Sequence, residues 1–502
     1  MSLRLHNTLT RRLEPFTPLQ AGRVSLYTCG PTIYNYAHIG NFRTFLFEDL
    51  LRRWLEASGY DVFHIMNLTD VDDRTIAAAR DKGVSLRAHV DPFARAFEED
   101  RDWLRIKPPT EQPRATDYIA PMIELIQGLL ARGVAYVGDD GSVYFAIARF
   151  PAYGRLSQLD RRELRAGASE RVSADEYSKE DARDFVLWKA ARPEDEAVGA
   201  AWDAPFGRGR PGWHIECSAM ALELLRRRFG TDVLDIHAGG VDLIFPHHED
   251  EIAQSCAYTG RDEFARVWLH GEFLNIRGTK MSKRFGNITT ARDLREDGVD
   301  PGAVRLLMFQ VHYRRQLDLT DEALASAREG SRRLGEFQVR LQASAANDDG
   351  PALASAAARL DDEVREALDD DLNAPRAVAA MFAFATAGNG AFDAGETAGP
   401  RALDAWRRAE GVLGVTSTVQ VLKVGTAVEV ESTGEQGLTE APPPGDPEAQ
   451  RSWAARWAVR RKDAKSARNF GEADRIRGLL KGAGWEVRDN RDGSIEVVRS
   501  TK

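Results

Sequence analysis

Three cysteines, a histidine four residues before a glutamate and two lysines three residues apart are the side chains in this sequence best suited to chemistry. Cys217 lies in Gly212-Trp213-His214-Ile215-Glu216-Cys217-Ser218-Ala219-Met220, and Phe245-Pro246-His247-His248-Glu249-Asp250-Glu251 follows downstream. Pro246 suits the first turn of a helix, so His247 and Glu251, four apart, share one face of it. A thiolate, an imidazole and a carboxylate converging on one point form a zinc-type donor set. Cys256 falls on the opposite helix face, at about 100° per residue, and reads as a packing cysteine. The same packing role is open to Cys29 and Cys217, because the chain has no Cys-x-x-Cys pair. Lys280-Met281-Ser282-Lys283-Arg284 sits between Gly278 and Gly286. Two lysines on a glycine-flanked loop suit a polyphosphate whose charge shifts during reaction, although exposed lysines alone assign nothing. Gly239-Gly240-Val241-Asp242 brings backbone close to a ligand and offers a carboxylate for an amine or sugar hydroxyls, yet ordinary tight turns use the same residues.

The scaffold for these groups begins at residues 24–70. A short apolar strand ends at Cys29-Gly30-Pro31, and from Ile39 the residues Phe42, Phe45, Leu46, Leu50 and Trp54 recur at helical spacing until Gly59. A second strand at 62–66 ends at Thr69-Asp70. Strand, helix, strand predicts a parallel pair with a right-handed crossover, which gathers Cys29, His38 and Thr69 at the carboxyl ends beside a helix N-terminus suited to phosphate. Cys29 gains weight as a ligand from that place. Residues 1–110 read as the first half of an α/β parallel-sheet domain, 111–205 as an insertion and 206–275 as the second half. The lysine loop lies in 276–320. Residues 321–415 are rich in Ala, Leu, Arg and Glu with helical periodicity and read as a bundle. Residues 416–450, with Pro442-Pro443-Pro444-Gly445, read as a flexible linker, and 451–502 as a small α+β module of two helices and a hairpin around Asp492-Gly493.

Composition narrows the class. A chain of 502 residues predicts several domains, and 43% hydrophobic with 29% charged residues fits packed globular folding. An odd cysteine count argues against a disulfide framework. No apolar stretch is long enough to span a bilayer and no leader stands at the start, so a cytoplasmic location is expected. The net charge of −9 does not announce a nucleic-acid binder, but residues 451–502 carry 14 Lys and Arg against 7 Asp and Glu. A basic tail on an acidic body points to a polyanion, or is simply a solvated face.

The order of these motifs adds what no single one carries. His38-Ile39-Gly40-Asn41, followed much later by Lys280-Met281-Ser282-Lys283-Arg284, resembles the paired signatures of class I aminoacyl-tRNA synthetases. Cys29-Gly30-Pro31-Thr32-Ile33-Tyr34, Asn67-Leu68-Thr69-Asp70-Val71-Asp72-Asp73, Gly209-Arg210-Pro211-Gly212-Trp213-His214 and Phe245-Pro246-His247-His248-Glu249 resemble the cysteinyl-tRNA synthetase family. So do Asp369-Asp370-Asp371-Leu372-Asn373-Ala374-Pro375 and Ala473-Asp474-Arg475-Ile476-Arg477; the likeness is weakest at 160–184 and in the linker.

The resemblance implies a Rossmann-like catalytic domain and ATP-dependent ligation of L-cysteine to tRNA(Cys) through a cysteinyl adenylate. It implies one Zn2+ per chain on Cys29, Cys217, His247 and Glu251, binding the substrate thiolate and so rejecting serine. It implies ATP with Mg2+ on His38, Gly40, Asn41, Gly240, Asp242, Lys280 and Lys283, with His38, Asn41, Lys280 and Lys283 as the catalytic groups. Gly30, Thr69, Trp213 and His237 would line the cysteine pocket. Residues 276–320 would contact the acceptor stem and 451–502 the anticodon end, by phosphate attraction with aromatic help from Trp453, Trp457 or Phe470, unless those rings pack the module's own core. A monomer is implied too. Asn41 stands where histidine is common and Arg284 where serine is common. A cysteine ligase acting on a small amine, as in mycothiol synthesis, would share the active-site motifs but leave the bundle and basic tail without a purpose.

Overall fold

The computed structural model describes residues 2–158, 184–276, 278–280, 289–424, 439–443, 446–489 and 495–500. The charged stretch 160–183 and residues 281–288, which hold Lys283 and Arg284, lie outside them. Among the described residues no helix is long and apolar enough to cross a membrane.

Four parallel strands form the central sheet: β1 (Arg23–Thr28), β2 (Asp61–Met66), β3 (Leu234–Gly240) and β4 (Ala265–Gly271), in the order β4-β3-β1-β2. Their apolar side chains are buried on both faces, as parallel strands require. The chain leaves β1 toward β2 and returns later as β3 on the other side. That reversal opens a crevice at the carboxyl end of β1, where ligands of such sheets bind.

Helix α1 (Ile39–Ala57) makes the first crossover, burying Phe42, Phe45, Leu46, Leu50 and Trp54 as the spacing predicts. Its start is a reciprocal cap. The His38 Nδ1 accepts from the Asn41 N–H at 3.2 Å, and the Asn41 Oδ1 accepts from the His38 N–H at 3.1 Å. Asn41, a departure from the common signature, therefore serves as an acceptor that fixes the helix entry. Helix α2 (Trp213–Phe229) precedes β3, and α3 (Glu249–Thr259) precedes β4.

The inserted segment carries a four-stranded antiparallel sheet of Ala135–Val137, Val143–Phe145, Phe185–Ala190 and Gly209–Pro211. It is seated on α3: Glu249 accepts from the N–H groups of Gly154, Leu156 and Ser157 at 2.9, 3.0 and 2.8 Å, and Tyr153 donates to Asp250. A buried carboxylate held by three amides fixes the start of the helix that carries Glu251.

Arg43, on α1, is buried with its guanidinium on the carbonyls of Met308, Val311 and His312, at the end of the helix Pro301–Phe309. A cation at a helix C-terminus is favourably placed, and here it ties the first signature helix to the segment beyond the lysine loop. Tyr313 stacks on Phe47 of α1 at 4.5 Å and donates to Asp371 at 2.7 Å. Asp371 also accepts from the His6 N–H and from Arg314 Nε, at 2.9 and 2.7 Å, in a left-handed backbone (φ 58°). The acidic motif at 369–371 is thus a joint between the N-terminal strand, residues 313–314 and the bundle; Asn373 then caps the helix Ala374–Asp393.

The bundle consists of Asp321–Ala343, Pro351–Asp369, Ala374–Asp393 and Pro400–Leu413 and shares one apolar core with the sheet. The C-terminal module has its own core of Trp453, Trp457, Ile476, Leu480, Trp485, Ile495 and Val497. One expectation changes here and one open alternative is decided. Val419–Val424, within the stretch read as linker, is a strand paired along Ile495–Ser500. Trp453 and Trp457 are buried, each donating its indole N–H to the Thr439 carbonyl, while Phe470 is 61% exposed. Helical spacing cannot tell a core tryptophan from one facing a partner.

Candidate functional site

At the carboxyl end of β1 the chain turns through Cys29 and Gly30. Gly30 has no alternative, because a Cβ there would lie 1.7 Å from the Asn67 carbonyl oxygen. The Cys29 N–H reaches the Ala238 carbonyl at 3.3 Å, so Cys29 is pinned between β1 and β3. Cys217 projects from the second turn of α2, and Glu251 from the start of α3. The backbone breaks from helical geometry at Phe245 (φ −141°, ψ 132°) and the turn containing His247 runs on into α3. His247 and Glu251 then meet on one face, with Nε2 to Oε1 at 2.9 Å.

The ligand atoms of Cys29, Cys217, His247 and Glu251 all lie within 4.8 Å of one another, and all four residues are buried. Sγ of Cys29 is 3.9 Å from Sγ of Cys217 and 3.8 Å from Glu251 Oε1. Zinc–ligand bonds of about 2.0–2.3 Å imply tetrahedral edges of roughly 3.3–3.8 Å, so this donor set fits such an ion in type, number and spacing. The electrostatics agree. Hydrogen bonding to Cys29 lowers Cys217 to about 6, while burial pushes Cys29 up, so the pair shares one proton. Burial raises the cost of a charged Glu251, but His237 and His247 hold it down to about 2. Burial works against a charged His247 as well, yet Glu251 and the Cys217 thiolate raise it to about 10. A buried thiolate and carboxylate facing each other call for a cation.

Beside the donors opens a cavity of about 330 Å³ lined by Cys29, Gly30, His38, Gly40, Asn41, Trp213, Gly240 and Asp242, among others. Of the four donors only Cys29 lines it. Trp213 lies across His247, with ring centroids 4.3 Å apart and planes 21° from parallel, and forms the wall there. Gly212, just before it, would place a Cβ 2.2 Å from the Val186 carbonyl oxygen. Gly212→Ala is therefore expected to shift Trp213 and lower the melting temperature by several degrees; an unchanged midpoint in thermal unfolding would refute the coupling.

His38 faces the cavity with its Nδ1 committed to the cap. Burial holds its pKa below the usual histidine value, against the attraction of Asp242. The neutral ring then carries its proton on Nε2, a donor available to a ligand. Thr69 and His237 do not line this cavity. Thr69 is buried behind the wall, exchanging backbone hydrogen bonds with Pro31 and Ile33. His237 is fully buried, bonded to Glu251 Oε2 at 2.8 Å and stacked on Trp268. Lys280 ends a two-residue strand paired with Leu274–Ile276, and Lys283 falls outside the described residues.

Several residues here escaped the sequence reading. Arg74 lines the cavity and lies over the Tyr34 ring at 4.7 Å, and Glu272, Phe273 and Leu274 form the wall beyond β4. His214, His248 and His270 join His237 and His247 around the donors. The signal for the histidines was present: five of the ten fall between 214 and 270.

Comparison with known proteins bears on all of this. Residues 15–329 match the family described as tRNA synthetases class I (C) catalytic domain, and residues 363–417 match the DALR domain. A cysteine–tRNA ligase of Chlamydia pneumoniae is 44% identical over 98% of this chain and 97% of its own length. One of Thermosynechococcus vestitus is 42% identical over 99% of both. Among solved structures, a Mycobacterium tuberculosis methionyl-tRNA synthetase in complex with methionyl-adenylate has a TM-score of 0.57 at 17% identity, covering 78% of this chain and 92% of that one. The LeuRS of an Agrobacterium radiobacter complex has a TM-score of 0.56 at 11% identity, covering 80% and 84%. The likeness in shape thus reaches class I synthetases far apart in sequence.

Proposed function

Because this chain belongs to the cysteine–tRNA ligases of the class I synthetases, and so joins cysteine to its tRNA at the expense of ATP, we propose that it does so through a cysteinyl adenylate, with zinc selecting the amino acid by its sulfur. The observation that carries the zinc reading is the meeting of Cys29, Cys217, His247 and Glu251 within 4.8 Å in the protein interior. Zinc held there supplies a soft Lewis acid that takes the substrate sulfur as thiolate, an interaction the serine hydroxyl reproduces poorly.

The remaining chemistry belongs to side chains and amides of the chain. Cysteine enters the cavity over Cys29 and Gly30, under the wall formed by Trp213. Asp242, after Gly240, takes the α-amino group or the ribose hydroxyls. The Nε2–H of His38 and the Gly40 amide at the α1 N-terminus hold the ATP phosphates, where the helix dipole favours negative charge. The cysteine carboxylate attacks the α-phosphate and pyrophosphate leaves with Mg2+. Lys280 and Lys283 neutralise charge developing on the phosphates. The terminal ribose hydroxyl of tRNA then displaces AMP. Similarity to full-length ligases that extends through the bundle supports tRNA over a small amine as acceptor. The test is cysteine-dependent exchange of pyrophosphate into ATP, measured with zinc content: exchange driven equally by serine, or a chain purified without zinc, would sink this reading.

For the basic module we propose contact with the anticodon end of tRNA through exposed cations such as Arg456, Arg460, Arg468 and Arg477, with Phe470 as the exposed ring. Because Val419–Val424 belongs to its sheet, truncation after 418 removes the whole unit. Such a chain is expected to lose about 10–100-fold in kcat/KM for tRNA, while pyrophosphate exchange stays within about twofold. Equal loss of both activities would overturn the assignment.

A further inference from the structure

Glu251 has a histidine on each oxygen. His247 Nε2 meets Oε1 at 2.9 Å, and His237 Nε2 meets Oε2 at 2.8 Å. Cys29 is likewise shared: its Sγ is 3.9 Å from Cys217 on one side and 3.3 Å from His248 Nε2 on the other. The ligand atoms of Cys29, His237, His248 and Glu251 also lie within 4.8 Å of one another, and all four residues are buried. The two sets thus overlap in one thiol and one carboxylate. Cys217 and His247 belong to the first set, His237 and His248 to the second.

A further observation marks the second set as more than crowding. His248 Nδ1 is 2.8 Å from His270 Nε2, and His270 Nδ1 is 2.8 Å from Thr8 Oγ1. A hydrogen-bonded partner on the remote ring nitrogen is the usual support of a metal-ligating histidine, fixing its tautomer and orientation.

We propose that the metal centre has two alternative protein donor sets that pivot on Cys29 and Glu251, so that the ion can be held by Cys29, His237, His248 and Glu251 when Cys217 or His247 is not engaged. One ion moves between the sets, and a metal content of one rather than two per chain separates this from a pair of ions bridged by Cys29 and Glu251. The second set lies on the Trp268 side of Glu251, against which His237 stacks at 4.6 Å, whereas His247 stacks on Trp213 at the cavity wall. It gives the ion complete protein ligation in which, of the four donors, Cys29 alone borders the cavity. This rests on the reading of the site as zinc-binding.

X-ray absorption at the zinc edge, with metal analysis of the full-length chain, tests it without reference to activity. Wild type is expected to show two sulfur ligands and one imidazole; that result stands for the zinc reading whatever the variants do. In Cys217→Ala, zinc is expected to remain at about one per chain, with one sulfur and two imidazoles. Loss of zinc from a variant that still melts cooperatively, or retention with a single imidazole, would overturn the second set. Should Cys217→Ala not fold, His247→Ala decides: two imidazoles support the proposal, and none or no zinc refutes it. Adding His248→Ala to Cys217→Ala is expected to abolish binding, and retained zinc there would contradict the assignment.

Discussion

A His38→Asn enzyme is expected to fold with near-native stability and yet exchange pyrophosphate into ATP about 10²–10³-fold more slowly, the usual effect of losing one preorganised donor to developing phosphate charge. His38 does two jobs with one ring. Its Nδ1 accepts from the Asn41 N–H and closes the cap of α1, and this leaves the Nε2 proton for the cavity. Asparagine is among the best N-cap residues, so its amide oxygen replaces Nδ1 while nothing replaces Nε2. His38→Ala removes both functions and is expected to lose about 1 kcal/mol of stability as well. Urea midpoints alongside exchange rates separate the two effects. Exchange by His38→Asn within about threefold of wild type would show that the ring serves only the helix.

Cys29→Ala is the second large effect expected, and it should be more severe than loss of Cys217. Cys29 belongs to both donor sets, and it is the one donor of the first set that lines the cavity. Structural zinc sites bind with an apparent 10–16 kcal/mol over four ligands, so one ligand is worth roughly 2.5–4 kcal/mol, about 10²–10³-fold in affinity. Without Cys29 each set falls to three donors, the first with Cys217 as its remaining thiolate and the second with none. Zinc content after dialysis is expected to fall below about a tenth per chain, and cysteine-dependent exchange with it. Glu251→Gln should behave similarly, because the same carboxylate anchors His237 and His247. A Cys29→Ala enzyme that keeps its zinc and still prefers cysteine to serine would contradict the proposed selection by sulfur.

Residues 24–66 alone predicted a parallel strand pair joined by α1, and the structure has that unit with Cys29 at its mouth. The His247–Glu251 pair followed from spacing of four on a helix, and the atoms meet at 2.9 Å. Both inferences needed only local backbone geometry, which side-chain periodicity reports directly. The fate of Thr69 and His237 was not local. Thr69 lies just past β2 and His237 midway along β3, yet neither lines the cavity, since burial depends on which strand and helix close over them. Trp453 and Trp457 were equally open to two readings until a separate core claimed them.

The sequence by itself determined the α/β class, the helix faces and the order of motifs that marks a cysteine–tRNA ligase, because these are written in period, capping and residue type. Tertiary structure alone decided that Val419–Val424 completes the C-terminal sheet and that Asp371 joins three parts of the chain. It also decided that Cys29 and Glu251 stand between two donor sets. Contacts between residues hundreds of positions apart depend on how whole elements pack, and packing leaves no period in the chain for a reader to count.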